Sequence, residues 1–212
     1  AGTAREAIAR LNSNGSFDGG FSNSFGYNEV FRVAPATGGD FYVVGTRFSE
    51  FTHELIRING NGSIDGGFST AAAPNGSIQT IAVDSANRPV VGGSFTTIAN
   101  TPRNRLARFS PTGQLDQSFG PVKSEGPNST VSGLYFAPDG FLYVTGSFSI
   151  YDGFALGSLV RLDANGQIDL NFPADGLERV RSVSSPLFAW SGTGKLVFGG
   201  NYSYSPRSGI VR

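Results

Sequence analysis

Four aspartates recur at one place in the chain, and they are the first residues whose type and spacing could do chemistry. Asp18, Asp65, Asp116 and Asp169 each follow an arginine by eight residues, at Arg10, Arg57, Arg108 and Arg161. A carboxylate so placed accepts backbone N–H groups at a turn or pairs with the guanidinium. A group present in every copy of a repeat is expected to do a job that every copy has, so these acids and arginines are read as structural. In the last copy Asp163, Asn165, Gln167 and Asp169 space oxygens at alternate residues, much as a calcium loop begins, and Asn12, Asn14, Ser16 and Asp18 echo the pattern. An EF-hand loop also needs Gly at position six and a bidentate Glu at twelve, whereas Gly166 falls at position four and no such Glu follows. In the third copy the ligands would be Ser110, Thr112, Gln114 and Asp116, a poor set for a divalent ion. Asp163, Asn165 and Asp169 are thus a weak candidate calcium set beside a turn that explains all four copies. No metal or other cofactor is expected.

His53, the sole histidine, sits in the loop SEFTHE, where it is read as a solvent-exposed loop residue, and no nucleophile motif accompanies it. The chain has no cysteine, which removes disulfides, thiolate metal sites and thiol nucleophiles. With Lys plus Arg and Asp plus Glu both at 16, no global field would draw it to nucleic acid or an anionic membrane. No apolar stretch approaches the length of about 20 residues that a membrane helix needs. The first residues, AGTAREA, show neither an initiator Met nor a signal-peptide core, and Met is absent throughout, so the start of the polypeptide is expected upstream. An enzyme is not expected.

The elements that must position these residues come from the repeat. IARLNSNGSFDGGF begins at Ile8, LIRINGNGSIDGGF at Leu55, LARFSPTGQLDQSF at Leu106 and LVRLDANGQIDLNF at Leu159. The signature arginines, with Arg212 as a fifth, recur roughly every 50 residues, the length of one propeller blade. A second block, FYVVGTRF, PVVGGSF, FLYVTGSF or KLVFGGNY, reads as a β-branched strand, and an apolar segment such as IQTIAVDS precedes it across a tight turn. Residues 1–212 therefore read as one all-β run of about four blades. Each is expected to be a meander of strands A, B, C and a short outer D, unable to bury both faces alone. Trp190, at the end of a strand A, is expected in the core.

The run LARFSPTGQLDQSF after PVVGGSFTTI resembles the bacterial delta-60 repeat, also called the DUF5122 β-propeller repeat, and the other copies share the pattern. The resemblance implies a propeller in an exported or surface protein of bacteria, often within a larger multidomain chain, with no single shared activity. Five C segments against four A–B hairpins suggest part of a larger ring, with further blades or domains in the same polypeptide.

In such a fold the short A–B and C–D turns share one face, while the B–C loops and blade links share the other. The B–C loops differ in length and chemistry, and recognition residues concentrate on loops held by a rigid scaffold. Phe51, His53, Arg103, Tyr151, Phe154, Tyr202, Tyr204 and Arg207 gather there, and aromatic and Arg side chains are enriched at recognition sites. The same aromatics could instead pin the loops. The expectation is a non-catalytic binding or adhesion module at a bacterial surface, recognising a protein. A lectin-like module using tyrosines as sugar platforms, an enzyme completed by blades outside this chain, and a plain spacer are the alternatives. Asn128-Ser129-Thr130 is a formal glycosylation acceptor and is discounted.

Overall fold

A computed structural model describes residues 7–22, 26–47, 53–68, 73–120, 125–172, 183–191, 193–202 and 209–211. The chain is all-β and propeller-like, with a single 3-10 turn at Thr37–Gly39 among the described residues. The first blade is β1 (Tyr27–Pro35), β2 (Phe41–Arg47) and β3 (Glu54–Ile58). The second is β4 (Ile78–Val83), β5 (Pro89–Gly93) and β8 (Leu106–Arg108), with a ribbon of β6 (Thr97–Ile98) and β7 (Thr101–Pro102) in its B–C loop. The third repeats this plan with β9 (Val131–Phe136), β10 (Leu142–Gly146) and β13 (Leu159–Leu162), around a ribbon of β11 (Ile150–Tyr151) and β12 (Phe154–Ala155). The fourth is β14 (Val183–Trp190), β15 (Leu196–Tyr202) and β16 (Gly209–Val211). Every sheet of three strands is an antiparallel meander whose middle strand is the second block of the repeat.

The expected strand D shrinks to one bridged residue, as in Ile58 with Ile64 and Phe109 with Leu115. The aspartate that follows explains why. Its backbone N–H still bonds across the turn, Asp65 to the Arg57 carbonyl at 2.9 Å. Its side chain then takes the N–H two residues on, Gly67 at 2.9 Å, which turns the chain and ends the pairing. The two ribbons add to the expected strands, and one of them has a strong hairpin signal in the sequence, Asp152-Gly153, both at positive φ.

β5 and β10 are buried along their whole length because blades cover them on both sides. The apolar clusters lie between blades rather than within one. Tyr42, Val44 and Leu55 of the first pack with Ile78, Val91 and Phe95 of the second, and Val90 and Phe119 of the second pack with Val131 and Leu142 of the third. The first strands pack in series, β1 on β4, β4 on β9 and β9 on β14.

One position shows how neighbouring blades are fitted. In the second blade Thr80 pairs with Gly92, while in the third Gly133 pairs with Thr145. The hydroxyl residue has changed strand, and the pair keeps one side chain in a gap with no room for two. A Cβ on Gly92 would run into Val131 and Thr80, and one on Gly133 into Pro186 and Thr145. The exchange leaves the Thr145 hydroxyl buried with no hydrogen-bond partner among the described residues. Thr145→Val, which keeps the shape and removes that orphan, is expected to raise stability by about 1 kcal/mol in urea unfolding. A loss of similar size would mean that the hydroxyl is satisfied.

Candidate functional site

The repeating arginines and aspartates form a latch between blades. Each arginine Nε donates to its own aspartate Oδ2, at 2.8 Å in Arg10–Asp18, 2.5 Å in Arg57–Asp65 and 2.8 Å in both Arg108–Asp116 and Arg161–Asp169. The guanidinium lies over the signature phenylalanine, 4.9 Å from the Phe21 centroid, 5.9 Å from Phe68, 4.3 Å from Phe119 and 4.6 Å from Phe172. In the first three copies the free arm then crosses to the C–D turn of the following blade, whereas that of Arg161 turns to the Tyr143 hydroxyl of its own blade. Arg10 donates to the Gly60 carbonyl, Arg57 to Pro111 at 2.8 Å and Arg108 to Ala164. Backbone donors run beside it, Ser22 to Asn61 at 2.7 Å and Gly120 to Asn165 at 3.0 Å. Sequence alone could not supply this partner, because it lies a whole blade away.

These bonds shift the carboxyl groups. The Gly67 N–H is the main influence that lowers Asp65, opposed by burial and reinforced by Arg57. Burial would raise Asp116 and Asp169, but the donors aimed at them, Ser118 and Arg108 in one and Arg161 and Asn171 in the other, bring both below the ordinary value. Carboxylates held this way are spent. The candidate metal set is likewise divided: Asp163 Oδ1 caps the turn through the Asn165 and Gln167 N–H groups at 2.8 and 2.9 Å, while Asp169 serves Arg161 and Asn171.

The candidate recognition residues do not form one patch. Phe51, Tyr204 and Arg207 lie outside the described residues, and of Tyr202 only the backbone, at the end of β15, is described. Tyr151 is not a surface platform but core. It is fully buried, its hydroxyl donates to the Gly166 carbonyl at 3.1 Å, and burial pushes that hydroxyl well above the ordinary tyrosine value. The adjacent Phe154 and Ile150 of the same β11–β12 ribbon are 43% and 40% exposed.

Arg103 enters a cleft of about 280 Å³ between the second and third blades. Leu106 and Phe119 give it apolar walls, and Gln117, Ser118 and Gln167 give it polar ones. Gln117 holds one arm of Arg103 at 2.8 Å, while Nε is buried without a hydrogen-bond partner among the described residues. Gly126 also lines the cleft and accepts from the Asp152 N–H at 3.2 Å, so the Phe154 ribbon adjoins it.

His53 lies elsewhere, between the first and second blades. Its ring stacks on Phe31 with centroids 4.6 Å apart, and Nδ1 meets the Ile78 backbone, 3.0 Å from its oxygen. Burial chiefly lowers its pKa, against the Ile78 bond and the charge of Glu29, so the ring is neutral near pH 7. Half-buried and held on both sides, it is not the solvent-exposed loop residue that its surroundings in sequence suggest. Asn128 also has a structural role, in that its amide oxygen accepts the Ser149 and Ile150 N–H groups at 3.0 Å each and so anchors the B–C loop.

Residues 1–21, 88–119 and 137–172 match the family described as Domain of unknown function (DUF5122) beta-propeller, and these segments contain three of the four signature copies. The resemblance read from the repeat is thereby supported. No curated protein matches the chain. Among solved structures it is similar to a protein of unknown function from Bacteroides caccae, with a TM-score of 0.54 at 15% identity, covering 93% of this chain and 65% of that one. The chain thus spans less than two thirds of that protein, and the likeness speaks for the fold alone.

A second similarity, to a puromycin hydrolase mutant in complex with PGG, has a TM-score of 0.47 at 16% identity and covers 93% of this chain and 29% of that one. It assigns no activity here. It does correct the expectation that the chain is not an enzyme, since that expectation rested on a missing motif.

Proposed function

We propose that this run of DUF5122-type propeller blades recognises a protein partner through the cleft at Arg103 and the adjoining β11–β12 ribbon. The observation that carries the reading is the buried Arg103 Nε, which lacks a partner among the described residues inside a cleft with polar walls. A buried donor left unmade is costly, and an incoming carboxylate would satisfy it with a charge-assisted hydrogen bond. Exposed Phe154 and Ile150 beside it supply the apolar contact that such a segment would also need. The partner chemistry is therefore an acidic side chain followed by an apolar one. A surface setting for the parent polypeptide belongs to the same proposal and rests on the family resemblance.

A phage-displayed random peptide library panned on the purified chain tests this. Enriched peptides should pair Asp or Glu with an aromatic or aliphatic residue, and Arg103→Ala and Phe154→Ser should each weaken them by about tenfold or more. Enrichment of peptides indifferent to both substitutions would overturn the reading. A glycan array bound in place of peptides would favour the lectin-like alternative, which has lost Tyr151 as a platform.

A further inference from the structure

The first strands of the blades share an irregularity that the repeat signature does not contain. β1 breaks register between Val30 and Arg32, β4 between Ile78 and Thr80, and β9 opposite the step from Thr145 to Gly146. The residues set out of the ladder are Phe31, Gln79 and Ser132. A bulge re-aims the side chain it carries, and all three line one hollow of about 380 Å³, together with Arg32, His53 and Ser77. The bulge is common to the blades and so belongs to their architecture. The side chains on it are an aromatic, an amide and a hydroxyl, and they follow no repeat.

The wall has a definite chemistry. Arg32 is exposed, bonds only to the neighbouring Phe31 carbonyl at 2.7 Å, and has no carboxylate partner among the described residues. That sets it apart from Arg10, Arg57, Arg88, Arg108 and Arg161, each paired with an aspartate. His53 spends Nδ1 on Ile78, which leaves Nε2 as the ring atom open to a ligand. Gln79 gives its amide nitrogen to Ser77 at 3.3 Å, which leaves its oxygen as an acceptor. Ser132 is engaged with the Val183 carbonyl and closes the far side. Glu29, whose charge acts on His53, stands outside the lining.

We infer that this hollow binds a small hydroxylated carboxylate of the sugar-acid class. The unpaired Arg32 takes the carboxylate as a planar fork. The Gln79 oxygen and His53 Nε2 meet hydroxyl groups, and Phe31 offers an apolar face to ring C–H groups. The volume lies within the range of pockets that hold small molecules, about 300–1,000 Å³. The site is separate from the Arg103 cleft and stands or falls without it.

Thermal unfolding of the whole chain in matched ionic strength tests the inference, with D-glucuronate as probe and D-glucose as its uncharged counterpart. At about 10 mM, glucuronate should raise the melting temperature by about 3 °C, because a ligand that binds only the folded state stabilises it, and glucose should not. Arg32→Gln, on an exposed side chain, should leave the unliganded melting temperature unchanged and abolish the rise; Gln79→Ala should reduce it. No rise with glucuronate, an equal rise with glucose, or a rise that survives Arg32→Gln would each overturn the assignment.

Discussion

Arg108→Ala is expected to lower stability by about 3–5 kcal/mol, because removing one member of a buried ion pair leaves the other charge uncompensated. For a chain of this length that corresponds to a fall in melting temperature of roughly 10 °C. The Arg108 side chain is only 3% exposed, and the substitution breaks three contacts at once: the pair with Asp116, the stack on Phe119 and the bond to Ala164 in the next blade. Arg10→Ala removes the same three kinds of contact from a side chain that is 37% exposed. Solvent screens that pair, and the expected loss is about 1 kcal/mol or less. Arg108→Lys should recover little, since a lysine keeps the charge but loses the planar fork and the stacking. Circular dichroism melts of the three variants check the order. Equal losses for Arg108→Ala and Arg10→Ala would mean that burial of the latch adds nothing to its strength.

Gly62→Ala should be nearly as damaging, and Gly15→Ala isolates the reason. Both glycines occupy the same place in the C–D turn, at φ of +85° and +83°. Alanine in this left-handed region costs roughly 1–2 kcal/mol. At Gly15 a Cβ would meet nothing within 4 Å, so that backbone cost is the whole expected loss. At Gly62 the Cβ would overlap the Ser22 carbonyl, part of the link that the preceding blade lays across this turn. Backbone cannot swing aside as the tip of a side chain can, so either the latch opens or the blades separate. We expect a loss of about 3 kcal/mol or more for Gly62→Ala in urea unfolding, of the size seen when strain or overpacking is forced on a core. Gly166, where a Cβ would lie 2.9 Å from the Gly120 nitrogen, should fall between them. Matching losses at Gly15 and Gly62 would show that the turn conformation alone explains the glycine.

The architecture is legible in the sequence because a blade is built from local patterns. The spacing of Arg10, Arg57, Arg108 and Arg161, the β-branched run of β10 and the turn residues before it are all short-range signals, and together they define blade number and strand order. Strand D is shorter than its pattern suggests, since the aspartate that marks it is also the residue that ends it. The B–C ribbons are harder to read. One turns at Ala99 and Asn100, where the positive φ of the alanine has no sequence signal, and the other at Asp152-Gly153, where the signal is present.

The candidate recognition residues divide less evenly, and the reason is geometric. Loop membership can be read along the chain, but the direction a loop side chain takes depends on what lies under it. Tyr151 and Phe154 share one loop and are both aromatic, yet one is core and the other projects outward. His53 and Arg103 occupy equivalent loops, and each settles in a different gap between blades. The hollow lined by Phe31, Gln79 and Ser132 has no sequence signature, because a register break is a property of paired strands.

By itself, then, the sequence determined the repeating unit: its length, its strands, its turns and the Arg, Asp and Phe that hold it. Those follow from periodicity and from propensities that act within a few residues. Tertiary structure alone decided that the same arginine reaches into the next blade, that Gly62 must be glycine for a neighbour's sake, and which side chains meet in the two gaps. Each of these joins groups that lie in different blades, and only the stacking of one blade on the next brings them within reach.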